Sequence, residues 1–275
     1  MKRWTRLLII LLIAINTLSV AVYASETKYM EKNGVKLYTT DETQVKGFVN
    51  IQGETTKNKI KLMVVRNNEQ LWYDIKLDNG SFSQKIWLSS GQGTYTINVM
   101  VNEHDRKYSF GPKITVENTE EINALLAPEK HIESEDKLII AKAAEITKGL
   151  TTDREKAEAI YMWVSENIDY DYVKYNKHLN NDYDNEYGAL LALTTKKGVC
   201  YDYATLVAAL GRASGLQTKL VKGTGKINGN TGYHAWNEIY IANESKWIKL
   251  DTTFAAVSEE SYFDRENFDE SHKAE

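Results

Sequence analysis

The chain changes its pattern of hydrophobic residues near residue 118, and this change limits the folds open to it. Before that point, short strand-like runs extend from Val35 to Val116 and are separated by turn residues such as Asp78-Asn79-Gly80. Short runs without a helical pattern are typical of a small all-β sandwich of immunoglobulin-like type. After that point, apolar residues follow first helical and then strand spacing, which indicates an α+β domain. A chain of 275 residues has room for both domains.

These patterns predict four segments. They are a signal peptide over residues 1–24, an immunoglobulin-like β-sandwich over 25–118, a linker over 119–133 and an α+β core domain over 134–275. Within the linker, Thr119 is suited to cap a short helix that Pro128 would end.

The first 24 residues combine a positively charged start, an apolar run over residues 7–15 and small residues at Val22 and Ala24. This is the pattern of a secretory signal peptide, and we expect cleavage after Ala24. An uncleaved anchor helix is the alternative, but polar residues interrupt the run well short of the roughly 20 residues that span a bilayer. The sequence therefore predicts a secreted or extracytoplasmic protein with no membrane anchor after cleavage.

The net charge limits the partners of the mature chain. Removal of residues 1–24 leaves 31 basic and 38 acidic residues, so the mature chain carries a net charge of about −7 with neutral histidines. A negative surface of this size disfavours nucleic acids and anionic membranes as partners.

Cys200 is the only cysteine, so neither an intramolecular disulfide nor a four-cysteine zinc site can form. A free thiol is unusual outside the cytosol, where structural cysteines are normally paired. Cys200 stands at the start of a helix predicted over residues 199–215, where free backbone N–H groups and the helix dipole favour the thiolate. The same N–H groups can bind the oxyanion of a tetrahedral intermediate. A buried cysteine packed beneath the helix is the alternative interpretation.

A candidate base for this thiol lies in a hairpin predicted near the end of the chain. Residues 233–242 and 246–253 have strand patterns and are joined by a turn-like Asn243-Glu244-Ser245. If the isoleucines of both strands face one core, the period of two places His234 and Asp251 together on the opposite face. A carboxylate beside a histidine fixes the orientation of the imidazole and leaves its other nitrogen for the thiol.

Taken singly, each of these residues has an ordinary structural interpretation, and their combination carries the argument. His131, His178 and His272 lie in polar surroundings without a matched partner strand, so the sequence assigns them no role.

Three motifs in this order resemble the core of the transglutaminase-like superfamily, in its bacterial secreted branch. They are Gly198-Val199-Cys200-x-x-Tyr203-Ala204, His234-Ala235-Trp236-Asn237-Glu238 and Trp247-x-x-Leu250-Asp251-x-Thr253-Phe254. The resemblance covers roughly residues 130–256 and implies a papain-like α+β core. It also implies that Cys200 is the nucleophile, His234 the general base and acid, and Asp251 the orienting residue. Members of this family often carry an upstream immunoglobulin-like domain.

The resemblance implies further site residues. An aromatic donor to the oxyanion would be Tyr170 or Tyr172. Both lie in residues 169–185, a polar segment rich in Asp, Asn and Tyr that is predicted as a loop, and packing within that loop is the alternative interpretation. Trp236 and Trp247 would flank the acyl tunnel or pack in its wall. The long calcium-binding insertions of the animal enzymes are missing, so we expect no metal and no cofactor.

The leading hypothesis is an extracytoplasmic thiol enzyme that attacks amide bonds of protein or peptide substrates, cell-wall peptides among them, through a thioester. It would act as a protease or amidase, or as a transamidase. The alternative is a catalytically silent cell-envelope binding or adhesion module that retains the fold. A thiol redox protein is disfavoured because no second cysteine is present to resolve a disulfide.

Overall fold

The structure is a computed structural model that describes residues 28–39, 43–227, 229–258 and 260–275. The predicted signal peptide lies outside these residues. An all-β sandwich comes first and an α+β domain follows, as the sequence predicts. None of the helices in the described ranges has both the length and the apolar character needed to cross a bilayer.

Two sheets form the sandwich. Its strands are β1 (Tyr29–Lys32), β2 (Val35–Tyr38), β3 (Gln44–Val45), β4 (Phe48–Thr55), β5 (Ile60–Arg66), β6 (Glu69–Asp74), β7 (Ser81–Trp87), β8 (Gly93–His104) and β9 (Lys107–Asn118). One sheet has the order β1-β2-β4-β7 and the other β3-β9-β8-β5-β6. Burial alternates residue by residue along β4, as expected for a strand with one face on the core.

Tyr95, near the start of β8, fixes one corner of the sandwich. Its ring is buried, and its hydroxyl donates to the carbonyl oxygens of Leu88 (3.0 Å) and Gly91 (2.8 Å). A tyrosine that bonds back to the backbone a few residues upstream is typical of immunoglobulin-type sandwiches. The observed sandwich therefore agrees with the immunoglobulin-like prediction, which remains a prediction about its family.

The predicted short helix in the linker is wrong. Thr119 still belongs to the sandwich, because its backbone N–H and its side-chain hydroxyl both donate to the Val45 carbonyl. Asn123 then accepts from Leu126 and Ala127 in an isolated turn, and Pro128 follows it. A single turn before a proline is too short to propagate as a helix.

The second domain contains seven helices and six strands among the described residues. The helices are α1 (Lys137–Ile146), α2 (Asp153–Asn167), α3 (Tyr172–Leu179), α4 (Ala189–Thr195), α5 (Cys200–Ala213), α6 (Thr252–Ser258) and α7 (Phe268–Ser271). The strands are β10 (Asp169–Tyr170), β11 (Lys197–Gly198), β12 (Thr218–Ile227), β13 (Asn230–Ile241), β14 (Lys246–Leu250) and β15 (His272–Ala274).

Helix α5 is the centre of this domain. It is buried continuously from Asp202 to Arg212 and packs against α1, α2, α4 and the main sheet. A helix that is buried around its whole circumference must be covered on all sides, and the other helices and the sheet supply that cover. The fully buried Ile239 and Ile248 are paired across β13 and β14 and belong to the same core as α5.

The main sheet has the antiparallel order β14-β13-β12-β15. The β13–β14 hairpin agrees with the prediction, and its connection is a 3₁₀ turn over Ala242–Glu244. Two other parts of the domain depart from the sequence interpretation. Residues 169–185, predicted as a loop, contain β10 and α3, and the C-terminal residues add β15 to the sheet.

Glu135 connects the two domains just before α1. Its two carboxylate oxygens accept hydrogen bonds from Lys85 Nζ and Trp87 Nε1, both at 2.8 Å. Both donors belong to β7 of the sandwich, so these bonds tie the sandwich to the start of the second domain.

Candidate active site

Cys200 is half-buried and is the first residue of α5. As the first helical residue its backbone N–H has no intrahelical partner, so it is available to an external acceptor. Strand β11 leads directly into this position and pairs in parallel with β10, which places Tyr170 opposite Gly198. Cys200 therefore lies at the point where this short sheet leads into the buried helix.

Asp202 fixes the backbone that precedes Cys200. This buried carboxylate accepts hydrogen bonds from Val199 N (2.9 Å), Gly188 N (3.1 Å) and Lys174 Nζ (2.7 Å). A Cβ at Gly198 would lie 2.5 Å from Asp202 Cβ, so the close approach requires glycine at that position. Sequence reasoning did not identify Asp202 and Lys174 as parts of this scaffold.

His234 lies in β13 and its ring is buried. The ring stacks on Phe254 at a centroid distance of 4.2 Å, and Gly225 of the neighbouring strand leaves room for it. Its Nε2–H donates to Asp251 Oδ2 at 2.7 Å. The predicted juxtaposition of His234 and Asp251 is therefore observed, and Nδ1 is the ring nitrogen left to interact with Cys200.

Asp251 stands at the junction of β14 and α6 and is buried. Its Oδ1 accepts from the backbone N–H groups of Thr253 (2.8 Å) and Phe254 (3.1 Å), in the first turn of α6. This bonding leaves Oδ2 directed at the imidazole. The carboxylate thus caps a helix with one oxygen and orients His234 with the other.

The charges in this group stabilise one another. Burial lowers the pKa of His234, but the Asp251 carboxylate, followed by Cys200, raises it more strongly, to about 10. Burial raises the pKa of Asp251, but His234 and then His272 lower it to about 2. At neutral pH these shifts favour an imidazolium beside a carboxylate, with the sulfur as the third interacting group.

His272 is the residue that the sequence interpretation assigned wrongly. It lies in β15, its side chain is completely buried, and its Nε2 is 2.9 Å from Asp251 Oδ2. No partner strand for His272 is predicted from the sequence, but the structure supplies β12, whose Gly225 pairs with His272. A signal was present, because Tyr262, Phe263 and Phe268 interrupt an otherwise charged segment and indicate that it packs back on the core.

The structure favours Tyr170 over Tyr172 as the aromatic donor. Burial raises the pKa of the Tyr170 phenol, and the charge of Cys200 raises it further, so the two groups interact electrostatically. Tyr172 is 64% exposed and contacts the Tyr170 ring instead. Tyr233, next to His234, also has a pKa raised by burial and then by Cys200, and sequence reasoning missed it.

The two candidate tryptophans occupy different places. Trp236 is buried with Phe254, Tyr262 and Phe268, so it packs in the wall behind His234. Trp247 pairs with Tyr240, six residues along β13 from His234, which is about 20 Å at the rise of a strand. This position gives no support to the prediction that Trp247 flanks the acyl tunnel, which stays a prediction.

The other two histidines to which the sequence assigns no role contact tyrosines. His131 Nδ1 is 3.1 Å from the Tyr201 hydroxyl, and His178 Nε2 is 2.7 Å from the Tyr187 hydroxyl. Neither belongs to the Asp251 group.

The structure places the ligand atoms of His234, Asp251 and His272 within 4.8 Å of one another, as a metal site would require. The two contacts of Asp251 Oδ2, at 2.7 and 2.9 Å, are hydrogen-bond lengths. Neighbouring ligands of a tetrahedral zinc ion lie about 3.3 Å apart, given zinc–ligand bonds near 2.0 Å. A metal ion would need these side chains to separate, so the arrangement described is a hydrogen-bonded one.

A free thiol, a buried imidazolium and a fully bonded carboxylate supply a nucleophile, a proton donor and a group that stabilises the positive charge. The backbone N–H of Cys200 adds a donor for negative charge that develops on a bound carbonyl oxygen.

Residues 140–252 match the family described as Transglutaminase-like superfamily. Human kyphoscoliosis peptidase is 30% identical over 113 residues, which are 38% of this chain and 16% of the length of that protein. A candidate cysteine protease from Cytophaga hutchinsonii is similar in structure, with 16% identity, a TM-score of 0.41 and coverage of 86% of this chain and 83% of the other. The periplasmic domain of TgpA from Pseudomonas aeruginosa has 14% identity and a TM-score of 0.38, with coverage of 79% and 94%.

Proposed function

We propose that the protein is an extracytoplasmic thiol enzyme that attacks amide bonds of protein or peptide substrates. The match of residues 140–252 to the transglutaminase-like superfamily supports this proposal. In this proposal Cys200 is the nucleophile, His234 the general acid and base, and Asp251 the orienting residue. The acyl group of the substrate is held on the enzyme as a thioester.

The observation that carries the proposal is the bonding of Asp251. One of its oxygens accepts from His234 Nε2 at 2.7 Å, while the other is held by two backbone N–H groups. Because Nε2 is occupied, only Nδ1 of His234 is available to the Cys200 sulfur. A buried imidazolium in this position stabilises a neighbouring thiolate, which is the reactive form of cysteine.

The first half of the reaction is an acyl transfer to sulfur. The Cys200 thiolate attacks the amide carbonyl carbon and forms a carbon–sulfur bond, and the carbonyl oxygen becomes an oxyanion. The backbone N–H of Cys200 and the Tyr170 hydroxyl are the proposed donors to that oxyanion. As the carbon–nitrogen bond breaks, His234 Nδ1 gives its proton to the leaving amine, and the thioester remains.

The second half removes the acyl group. Water or a second amine attacks the thioester carbon, and neutral His234 Nδ1 accepts the proton of the attacking group. The carbon–sulfur bond breaks and the Cys200 thiolate is restored. Attack by water makes the protein a protease or amidase, whereas attack by a lysine amine makes it a transamidase.

The alternative of a silent binding module finds less support. Taking a carboxylate and an imidazolium out of water is costly, and a scaffold with no chemistry to perform has no need of that cost beside a free thiol. The buried His234–Asp251 pair next to Cys200 therefore favours the enzyme.

The proposal is tested with the mature chain, a glutamine-containing peptide and a labelled primary amine. We expect Cys200-dependent release of ammonia, with or without incorporation of the label, and the ratio of the two products separates hydrolysis from transfer. The Cys200→Ala variant should lose at least about 10⁴-fold in rate, as expected for removal of a nucleophile.

Peptide cleavage is followed in parallel by mass spectrometry, because a protease would hydrolyse the backbone rather than the side-chain amide. If wild type and Cys200→Ala behave alike toward all of these substrates, and both bind cell walls equally, the silent-module alternative replaces the enzyme.

A further inference from the structure

His272 and His234 share one oxygen of Asp251. The two Nε2 atoms lie 2.9 Å and 2.7 Å from the same Oδ2. A carboxylate oxygen only accepts hydrogen bonds, so each Nε2 must carry a hydrogen. The carboxylate group thus receives a second imidazole N–H from a residue that lies outside the family match over residues 140–252.

The other nitrogen of His272 is consistent with this assignment. Nδ1 lies 2.9 Å from Ser271 Oγ and 3.1 Å from the Phe268 carbonyl oxygen. A neutral ring accepts from the Ser271 hydroxyl at Nδ1, and a charged ring donates from Nδ1 to the carbonyl. Nε2–H points at Asp251 in both cases.

The fold holds the His272 ring in place from two sides. Phe268 stacks on it at a centroid distance of 3.9 Å, and β15, which carries it, pairs with β12 at the edge of the main sheet. A Cβ at Gly223 would lie 2.1 Å from the Lys273 carbonyl oxygen, so glycine is required for β15 to approach. His272 is thus built into the sheet.

With His272 in place, the Asp251 carboxylate accepts four hydrogen bonds. Oδ1 takes two from the start of α6 and Oδ2 takes two from the histidines. An ionised carboxylate has about four acceptor positions, so its capacity is filled. Removing His272 would leave one position of a buried carboxylate unsatisfied and would free Oδ2 to rotate away from His234.

We propose that His272 is a positioning residue of the site, which acts through Asp251 Oδ2 to keep His234 in the form that stabilises the Cys200 thiolate. The site is then a group of four residues, Cys200–His234–Asp251–His272, and the C-terminal strand contributes one of them, His272. This inference rests on the proposed function, in which the Cys200–His234 pair is the reactive centre.

The test is the rate at which iodoacetamide alkylates Cys200 in the full mature protein across a range of pH, which requires no substrate and no turnover. We expect wild type to react at pH 5 much faster than a small-molecule thiol, because the neighbouring His234 imidazolium stabilises the anionic sulfur that attacks iodoacetamide. His272→Ala should lose about tenfold or more of that rate, as expected for a lost hydrogen bond to a charged group. His272→Gln, whose amide N–H can still donate to Oδ2, should keep most of it.

Lys273→Ala is the matched control, since Lys273 is an exposed neighbour in the same strand, and it should match wild type. A folded His272→Ala variant that reacts at pH 5 like wild type overturns the inference and leaves the proposed function standing. If wild type itself reacts no faster than the free thiol at pH 5, the proposed reactive centre fails as well.

A second measurement needs no variant and serves if His272→Ala does not fold. In nitrogen-15 NMR of the wild-type histidines, His272 should carry a hydrogen on Nε2 at neutral pH. A bare Nε2 on His272 would overturn the inference.

Discussion

At the scale of single residues, Asp251 has the largest influence, because its charge determines the state of His234. In the folded protein the pKa of His234 is raised from 6.5 to about 10, so the stabilisation from His234 is complete below about pH 6.5 and is lost as the pH rises toward 10. The pKa of Asp251 is lowered from 3.8 to about 2, so the stabilisation from Asp251 is present above about pH 4 and is lost as the pH falls toward 2.

The Asp251→Asn variant should therefore lose stability in a pH-dependent way. We expect its deficit in free energy of unfolding to be largest between about pH 4 and 6.5 and to shrink toward pH 10. Urea unfolding of wild type and variant at pH 5 and pH 9.5 measures this difference. Asp269→Asn, at an exposed carboxylate paired with Lys249, is the control and should show little change at either pH. An Asp251→Asn deficit of equal size at both pH values would contradict the assignment of charge.

Gly225 provides a steric test of the position of His234. A Cβ at Gly225 would lie 2.8 Å from His234 Cδ2 and Cγ and from Phe254 Cζ, so Gly225→Ala must displace the imidazole. We expect a loss of about 1–3 kcal/mol in stability from overpacking. A shift of about 1 Å in a catalytic group also costs about 100-fold in rate.

Gly232→Ala is the matched control for that steric test. Gly232 is the partner of Gly225 across β12 and β13, and nothing lies within 4 Å of a Cβ at that position. Gly232→Ala should therefore match wild type in stability and in the rate at which it turns over peptide amides, if wild type does so, and equal losses in the two variants would argue against a steric role for Gly225.

At the scale of elements, the sequence predicted those parts of the site whose geometry is local. His234 lies in β13 and Asp251 directly follows β14 of the same hairpin, and the period of two brings them together without knowledge of the exact register. Cys200 begins α5, whose apolar spacing and glycine boundaries are visible in the sequence. These residues needed no information from distant parts of the chain.

Elements held by long-range contacts were not predictable in the same way. Helix α3 is short and polar, and what stabilises it is the buried contact of Lys174 with Asp202, 28 residues away in the chain. Strand β15 has three residues and depends on two glycines of β12 for its place. Neither element has a periodic pattern of its own, so only the assembled structure reveals them.

The Lys174–Asp202 pair gives a prediction at this scale. Lys174→Met leaves a buried carboxylate without its cation and should cost about 3–5 kcal/mol in free energy of unfolding. Lys177→Met, at an exposed lysine of the same helix, should cost less than about 0.5 kcal/mol. Chemical denaturation of both variants makes the comparison, and similar losses would show that the ion pair contributes no special stability.

At the scale of the whole molecule, the sandwich and the second domain each have a hydrophobic core of their own. The sandwich core contains none of the four residues Cys200, His234, Asp251 and His272. The core of the second domain surrounds α5 and the isoleucines of the hairpin. Glu135 connects them through β7. The residues of the candidate site therefore all lie in the second domain.

The location of the protein is tested through its N-terminus. Expressed with its first 24 residues in a secreting bacterial host, the protein should be recovered outside the cytosol with Ser25 as its first residue. N-terminal sequencing of the exported fraction checks this, and a full-length chain retained in the membrane would favour the anchor alternative.

The most direct test of the central claim is intact-mass spectrometry of the mature protein after brief exposure to a library of peptide amides, with acid quenching. If Cys200 is the nucleophile, we expect an acyl adduct that maps to Cys200, disappears with hydroxylamine and is missing from the Cys200→Ala variant. We also expect much slower adduct formation in His234→Ala. An unmodified Cys200 across the library, in a protein whose fold is intact, would contradict the assignment of Cys200 as the nucleophile.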